Sequence, residues 1–156
     1  MKVVVVGASG TMGSLVCNQL GERGVHVVEA YRGNGVDAQT GAGLAAATAG
    51  ADVVVDCLNN LTQSASKAKR FFGTTARNIA EAARVAGARV VCLSISNATD
   101  PAVNRRMGYY QGKAEQERVY REILDDQVTF VRTTQWFELA DTMTDQLSLG
   151  PIAVLP

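Results

Sequence analysis

Apolar positions along the chain fall into two alternating rhythms. Lys2 to Val6 is an unbroken valine run closed by Gly7, the pattern of a strand buried on both faces. In "GASGTMGSLVCNQLGERG", Met12, Leu15, Val16 and Leu20 recur at helical spacing, and Gly21 and Gly24 mark the end. "VHVVEA" predicts a second strand. "YRGNGVDAQTGAG" predicts a loop holding a short third strand near Val36, followed by a short helix, "LAAATAG", and a strand, "ADVVVDCL". From Lys67 to Ala86, Phe71, Phe72, Ile79 and Ala83 mark a helix that Gly87 closes. "ARVVCLSIS" reads as a strand, "NATDPAVNRRMG" as a polar loop, Tyr109 to Leu124 as a charged amphipathic helix and "VTFVR" as a last strand. Strands alternate with helices throughout. That order predicts an α/β fold, a doubly wound parallel sheet with right-handed crossovers and helices on both faces. No internal repeat, low-complexity segment or linker interrupts it, so residues 1–156 read as one domain.

Composition adds exclusions. The 156 residues, 47% of them hydrophobic, are enough to bury a real core. Fifteen basic residues balance fifteen acidic ones, so no net field draws the chain to nucleic acid or an anionic membrane. Lys67, Lys69 and Arg70 read as a solvated helix start. Cys17, Cys57 and Cys92 form no C-x-x-C pair and sit in apolar runs, as buried small hydrophobes in a reducing compartment would. The single histidine, His26, lies inside a predicted strand and has no clustered partners, so no metal site is expected. The valines of "MKVVVVGASG" are too few for a signal or spanning segment, and a cytoplasmic location is expected.

The chemistry begins at "GASGTMG". Gly7, Gly10 and Gly13 stand at G-x-x-G-x-x-G spacing after the first strand, where they open the first helix. The first glycine suits a tight turn, the second a close approach of backbone to pyrophosphate, and the third close packing of helix on strand. The helix N-terminus offers free N–H groups to phosphates. Ser9 and Thr11 could add hydroxyl donors, and with Met12 they complete the candidate cofactor-binding loop. At the end of the second strand, where an NAD site usually carries an acid, Tyr31 is followed by Arg32. An arginine can grip a 2′-phosphate, so NADP is expected over NAD; the rival acid, Glu29, lies inside the strand.

"GYYQGKAEQE" places Tyr109 and Lys113 at i and i+4, on one face of a helix. A nearby ammonium would favour phenolate and lower the tyrosine pKa, suiting it to exchange a proton with a carbonyl oxygen as hydride moves from nicotinamide. Ser94 or Ser96, at the end of "CLSIS", would hold the substrate oxygen at the carboxyl edge of the sheet.

Taken together, "VVVGASGTMGSLV", "GADVVVDCLNN", "FFGTTARNIAEAARVAGARVVCLSI", "GYYQGKAEQE" and "VRTTQWFE" resemble the short-chain dehydrogenase/reductases, and more closely their atypical, NmrA-like NAD(P)-binding branch. The resemblance implies a Rossmann-like fold, with Gly7, Gly10 and Gly13 as the cofactor loop and Arg32 as a marker of NADP preference. It implies that Asn59 borders the cofactor and that Thr133 and Thr134, in a loop after the last strand, lie near the nicotinamide end. It makes Tyr109, Lys113 and Ser94 the catalytic set, although Ser96 has the more usual distance to the tyrosine. Members of that branch continue past "LSLGPIAVLP", so a C-terminally shortened domain with an uncovered sheet edge is expected, open to homodimer pairing.

Two functions follow as expectations. One is an NADP-dependent oxidoreductase acting on a small carbonyl or quinone; the other is a non-catalytic NAD(P)-binding redox sensor or regulatory module.

Overall fold

The computed structural model describes residues 1–105, 107–134, 148–149 and 152–153. Strands β1 (Lys2–Val6), β2 (His26–Ala30), β3 (Val53–Asp56), β4 (Arg89–Ile95) and β5 (Val128–Thr133) form one sheet in the order β2-β1-β3-β4-β5. Every pairing in it is parallel. A two-residue pair, β6 (Ser148–Leu149) and β7 (Ile152–Ala153), is antiparallel and separate from that sheet.

Helices cover both faces. α1 (Thr11–Glu22) packs through Val16, Cys17 and Leu20 against Val3, Val5, Val53 and Val55. On the opposite face, α2 (Leu44–Thr48), α3 (Ala65–Ala86) and α5 (Gly108–Leu124) close over Val4, Val6, Val54, Val90 and Cys92. Alternate residues of each strand therefore enter different cores, which is why the β1 and β3 valines read as continuous apolar runs. Buried side chains in α3 recur at Ala68, Phe72, Thr75, Ala76, Ile79, Ala80 and Ala83, and the helix is capped by Ser64, whose hydroxyl accepts from the Lys67 N–H. The α/β, doubly wound, Rossmann-like reading is the observed architecture.

The structure corrects several local expectations. Val36 is not in a strand. It follows a 3-10 turn at Arg32–Asn34 and plugs the core from a loop, 9% exposed. Leu15 stays on the outer side of α1, whose inner line runs through Gly13 and Cys17 instead. The polar loop before α5 contains a short helix, α4 (Pro101–Asn104), with Asp100 accepting from the Ala102 N–H at its start. Thr133 is the last residue of β5 rather than part of the following loop. His26 lies in β2 and is exposed. Among the described residues no helix is long and apolar enough to cross a membrane.

Candidate functional site

The order of the sheet reverses between β1 and β3: the chain winds outward to β2 on one side and through β4 and β5 on the other. Such a switch point opens a crevice at the carboxyl ends of the strands. A cleft of about 1350 Å³ lies there, lined by Gly7, Ser9, Gly10, Thr11 and Met12, by Arg32, Leu58 and Asn59, and by Ser94, Ser96, Tyr109, Lys113, Thr133 and Thr134. Gly13 lies behind the lining, where α1 touches β1.

The glycine loop is built for close approach. Gly7 turns at φ +85°, and its N–H bonds Ala30 O at the end of β2. A Cβ on Gly13 would stand 2.1 Å from Gly7 O and 2.8 Å from Ala8 Cα, so only glycine lets α1 begin so near the end of β1. Gly10 caps α1 without a side-chain hydrogen bond, so the first-turn N–H groups open toward the cleft with no side chain answering them. These features fit a dinucleotide pyrophosphate at the start of α1. Arg32 is exposed at the same end of the cleft, in the 3-10 turn directly after Tyr31. Glu29 lies inside β2, and Asp37, not singled out from the sequence, also lines this end.

At the other end, α5 is pressed onto α3. A Cβ on Gly108 would come 2.2 Å from Gln63 O, and one on Gly112 would come 2.6 Å from Phe72 Cδ2 and 2.7 Å from Ala68 Cβ. The residue after each glycine, Tyr109 and Lys113, is thereby carried to the floor of the cleft. The Tyr109 hydroxyl donates to Asn59 Oδ1 at 2.9 Å, and the Asn60 N–H donates to the same oxygen at 2.9 Å. The expected ammonium effect on the phenol is not seen. Burial, and then the neighbouring Tyr110, push the Tyr109 pKa up to about 12. The Lys113 ammonium bonds elsewhere: it donates to Leu93 O at 3.0 Å, Gln116 Oε1 at 3.0 Å and Leu58 O at 3.4 Å, and lies 4.5 Å from the Phe72 ring centroid.

The two candidate serines part company. Ser94 belongs to the row of β4 residues that points toward α5, and its buried hydroxyl donates to Glu117 Oε1 at 2.7 Å. Glu117 also receives Arg132 and Arg121, at 2.6 Å and 2.8 Å. Ser96 lies just past β4, half-buried at the cleft, and is held by its N–H to Thr133 O at 2.8 Å; its hydroxyl has no partner among the described residues. Both serines line the cleft, but the Ser94 hydroxyl is already engaged by Glu117.

Sequence reasoning missed Asp56, Gln116, Glu117, Tyr120 and Arg132. Asp56, buried at the end of β3, accepts from Gln116 Nε2 and Tyr120 Oη, both at 2.7 Å, and from the Leu58 N–H at 2.9 Å. The available signal was spacing: Gly112, Lys113, Gln116, Glu117, Tyr120 and Leu124 form the i, i+3, i+4 stripe that α5 buries.

Fold and cleft together define a dinucleotide-binding α/β protein. The chain belongs to the NAD dependent epimerase/dehydratase family, whose model matches residues 3–121. Its fold is shared with dTDP-4-dehydrorhamnose reductase from Yersinia enterocolitica, at 17% identity and a TM-score of 0.74, over 96% of this chain and 61% of that one. The Bacillus anthracis dTDP-4-dehydrorhamnose reductase, in complex with NADP, superposes with a TM-score of 0.71 at 17% identity, over 93% of this chain and 59% of that one. A short-chain dehydrogenase/reductase superfamily protein from Agrobacterium tumefaciens with bound NAD matches at 19% identity and a TM-score of 0.66, over 85% of this chain and 48% of that one. The chain therefore spans about 60% of the length of the two reductases. No curated protein sequence matches it.

Proposed function

We propose that the protein is an NADP-dependent oxidoreductase that reduces, or in reverse forms, a small carbonyl or quinone. The observation that carries this reading is one cleft with a glycine cradle at one end and the Tyr109–Asn59 pair beside buried Lys113 at the other. Gly7, Ser9, Gly10, Thr11, Met12 and Gly13 would hold the pyrophosphate, Arg32 the 2′-phosphate, and Asn59 the nicotinamide side. When bound, NADPH supplies a hydride to the carbonyl carbon. The Tyr109 phenol, protonated at neutral pH, gives its proton to the carbonyl oxygen after its O–H swings to the substrate from Asn59 Oδ1, the acceptor it has in the free protein. An alkoxide is a stronger base than a phenolate, so the transfer runs downhill even from a phenol with a raised pKa. Ser96 is the hydroxyl best placed to bond the substrate oxygen.

A second reading, a redox sensor or regulatory module that binds NAD(P) without turnover, is favoured by one observation. The Ser94 hydroxyl and the Lys113 ammonium are both already engaged by protein acceptors. Placement in the NmrA-like branch rests on the motifs alone. A cytoplasmic location is supported by the three buried free cysteines. Pairing of two copies along β5, one of the two outer strands of the sheet among the described residues, is supported by the 42% exposure of Val131.

The test is titration of the chain with NADPH and NADH by nucleotide fluorescence, in wild type and Arg32→Ala. Tighter NADPH binding that Arg32→Ala abolishes supports the reading. Tighter NADH binding, lost in Asp37→Ala, would overturn the NADP preference. Binding of neither nucleotide would overturn both readings.

A further inference from the structure

Lys113 is 3% exposed, yet it carries an ammonium whose acceptors are all neutral oxygens. Such a group keeps its proton and its aim only if those acceptors are themselves fixed. Two of the three depend on one buried carboxylate. Gln116 presents a carbonyl oxygen to Lys113 at 3.0 Å and an amide nitrogen to Asp56 Oδ2 at 2.7 Å. A glutamine amide flipped end for end would point N–H groups at the ammonium. Asp56, which as a carboxylate only accepts, forbids that flip. Its other oxygen takes the Leu58 N–H at 2.9 Å and so fixes the turn whose carbonyl, Leu58 O, is the third Lys113 acceptor. Tyr120 donates to Asp56 Oδ2 at 2.7 Å and holds the carboxylate against α5. The residue after Leu58 is Asn59, the partner of Tyr109, so the same turn positions both ends of the Tyr109–Lys113 pair.

We propose that Asp56 and Gln116 are positioning residues for Lys113: the carboxylate locks the amide, and the amide carbonyl holds the ammonium at the floor of the cleft. The proposal rests on the reading of Lys113 as a site residue and adds to it the device that keeps the lysine charged and aimed. The Leu58 O contact, at 3.4 Å, lies beyond the ordinary hydrogen-bond range and is the bond that would yield when a ribose hydroxyl competes for the ammonium. The charged and titratable groups around the ammonium are Asp56 and Cys57 from the β3 end, Cys92 from β4, and Glu117 and Tyr109 from α5; α3 contributes the Phe72 ring. Burial pushes the Lys113 pKa down, and Cys92, Asp56, Cys57 and Glu117 oppose that fall.

The test needs no nucleotide. The chain has only four lysines, Lys2, Lys67, Lys69 and Lys113, so selective ¹³C-lysine labelling gives a short spectrum in which Lys113 is the resonance lost in Lys113→Arg. The Cε shift is followed against pH in wild type, Gln116→Met and Gln116→Glu, with Asp56→Asn as a further variant and the fold of each checked by near-UV circular dichroism. Wild-type Lys113 should titrate below the other three lysines. Gln116→Met, similar in size but with only a weakly accepting thioether in place of the amide oxygen, should lower its midpoint further by about one pH unit, a tenfold loss of proton affinity. Asp56→Asn should move it the same way. Gln116→Glu keeps an oxygen acceptor for the ammonium, and because its other oxygen meets Asp56 the two carboxyls share one proton, so the midpoint should stay near the wild-type value. A merely structural role for Gln116 would leave the midpoint in place. An unchanged midpoint in natively folded Gln116→Met, or equal midpoints in Gln116→Met and Gln116→Glu, overturns the proposal. The titration decides it whether or not NADPH binds, so its failure and a failure of the oxidoreductase reading are separate results.

Discussion

Gly13→Ala is the substitution for which the structure makes the sharpest demand. An alanine there puts Cβ 2.1 Å from Gly7 O, 2.7 Å from Gly7 C and 2.8 Å from Ala8 Cα. All three are backbone atoms, so no side chain can swing away, and α1 must retreat from β1 by roughly an ångström to restore van der Waals contact. Overpacking of this kind costs about 1–3 kcal/mol, and a rigid backbone obstacle argues for the upper end. Against it stands the better helix propensity of alanine, about 1 kcal/mol. The net loss is about 2 kcal/mol, or ~4–8 °C in Tm for a chain of this size. The control lies in the same helix: a Cβ on Gly21 meets nothing within 4 Å. Gly21→Ala should therefore keep the propensity gain and raise Tm by ~2–3 °C. Thermal melts of both variants measure stability, and NADPH titration measures the loop, where Gly13→Ala should lose at least about tenfold in affinity as the N-terminus of α1 shifts. If the two alanines move Tm in the same direction, close approach of α1 to β1 is not what requires glycine at position 13, and the account of the loop is wrong.

Three further outcomes follow. Arg32→Ala should weaken NADPH by about tenfold, the value of one charge-assisted hydrogen bond, and leave NADH unchanged; equal losses for both nucleotides would remove the 2′-phosphate role. Once a turnover substrate is found, Tyr109→Phe should reduce kcat by about 10²–10⁴-fold with nucleotide affinity kept, and an unchanged kcat would favour the non-catalytic module. The third concerns acid stability. Burial pushes the Glu117 carboxyl up, but hydrogen bonds from Arg132 and Ser94 and the charges of Arg132 and Arg121 outweigh it and hold the group below its ordinary 4.5. The folded state then binds this proton less readily than the unfolded state. The stabilisation is complete above the unfolded value and is lost as pH falls through the folded one. Glu117→Gln should cost about 1.5–3 kcal/mol at neutral pH, with the gap to wild type narrowing below pH ~4.5 in chemical-denaturation series; a gap that stays constant with pH would refute the linkage.

How far this architecture could be read in advance depended on which atoms carried the information. The valine runs of β1 and β3 and the spacing of Gly7, Gly10 and Gly13 are backbone demands written directly as residue types, and they placed the sheet and the glycine turn into α1. Val36 misled because a buried β-branched residue looks the same in a strand and in a loop that plugs a core. Ser94 and Ser96 could not be told apart from the sequence, because two residues of equal parity read alike on a strand: Val90, Cys92 and Ser94 share the face toward α5, and Ser96 stands beyond the end of the strand. Glu117 and Gln116 sit within the run "KAEQER", which in one dimension looks like a solvated surface. Their burial shows only when the stripe from Gly112 to Leu124 is followed around the helix.

The same stripe explains why the tyrosine and lysine arrive together. Gly108 and Gly112 are four residues apart, as are Tyr109 and Lys113, so the feature that lets α5 lie on α3 and the feature that faces the cleft share one helical period. A bulkier residue at Gly112 would meet Phe72 and Ala68 and lift the helix away from α3 at the point where Lys113 reaches Leu58 O and Leu93 O. Lifting the helix there would lengthen those lysine bonds before it disturbed Tyr109, one turn earlier and tied to Asn59 through its own hydrogen bond. The geometry of this end of the cleft is therefore fixed by helix–helix contact and by the Asp56–Gln116 pair, whereas the glycine-loop end is fixed by backbone against backbone at Gly7 and Gly13. The two ends need not fail together. In a Gly112→Ala variant, NADPH binding kept while a wild-type turnover is lost would indicate a displaced α5 rather than a broken glycine loop.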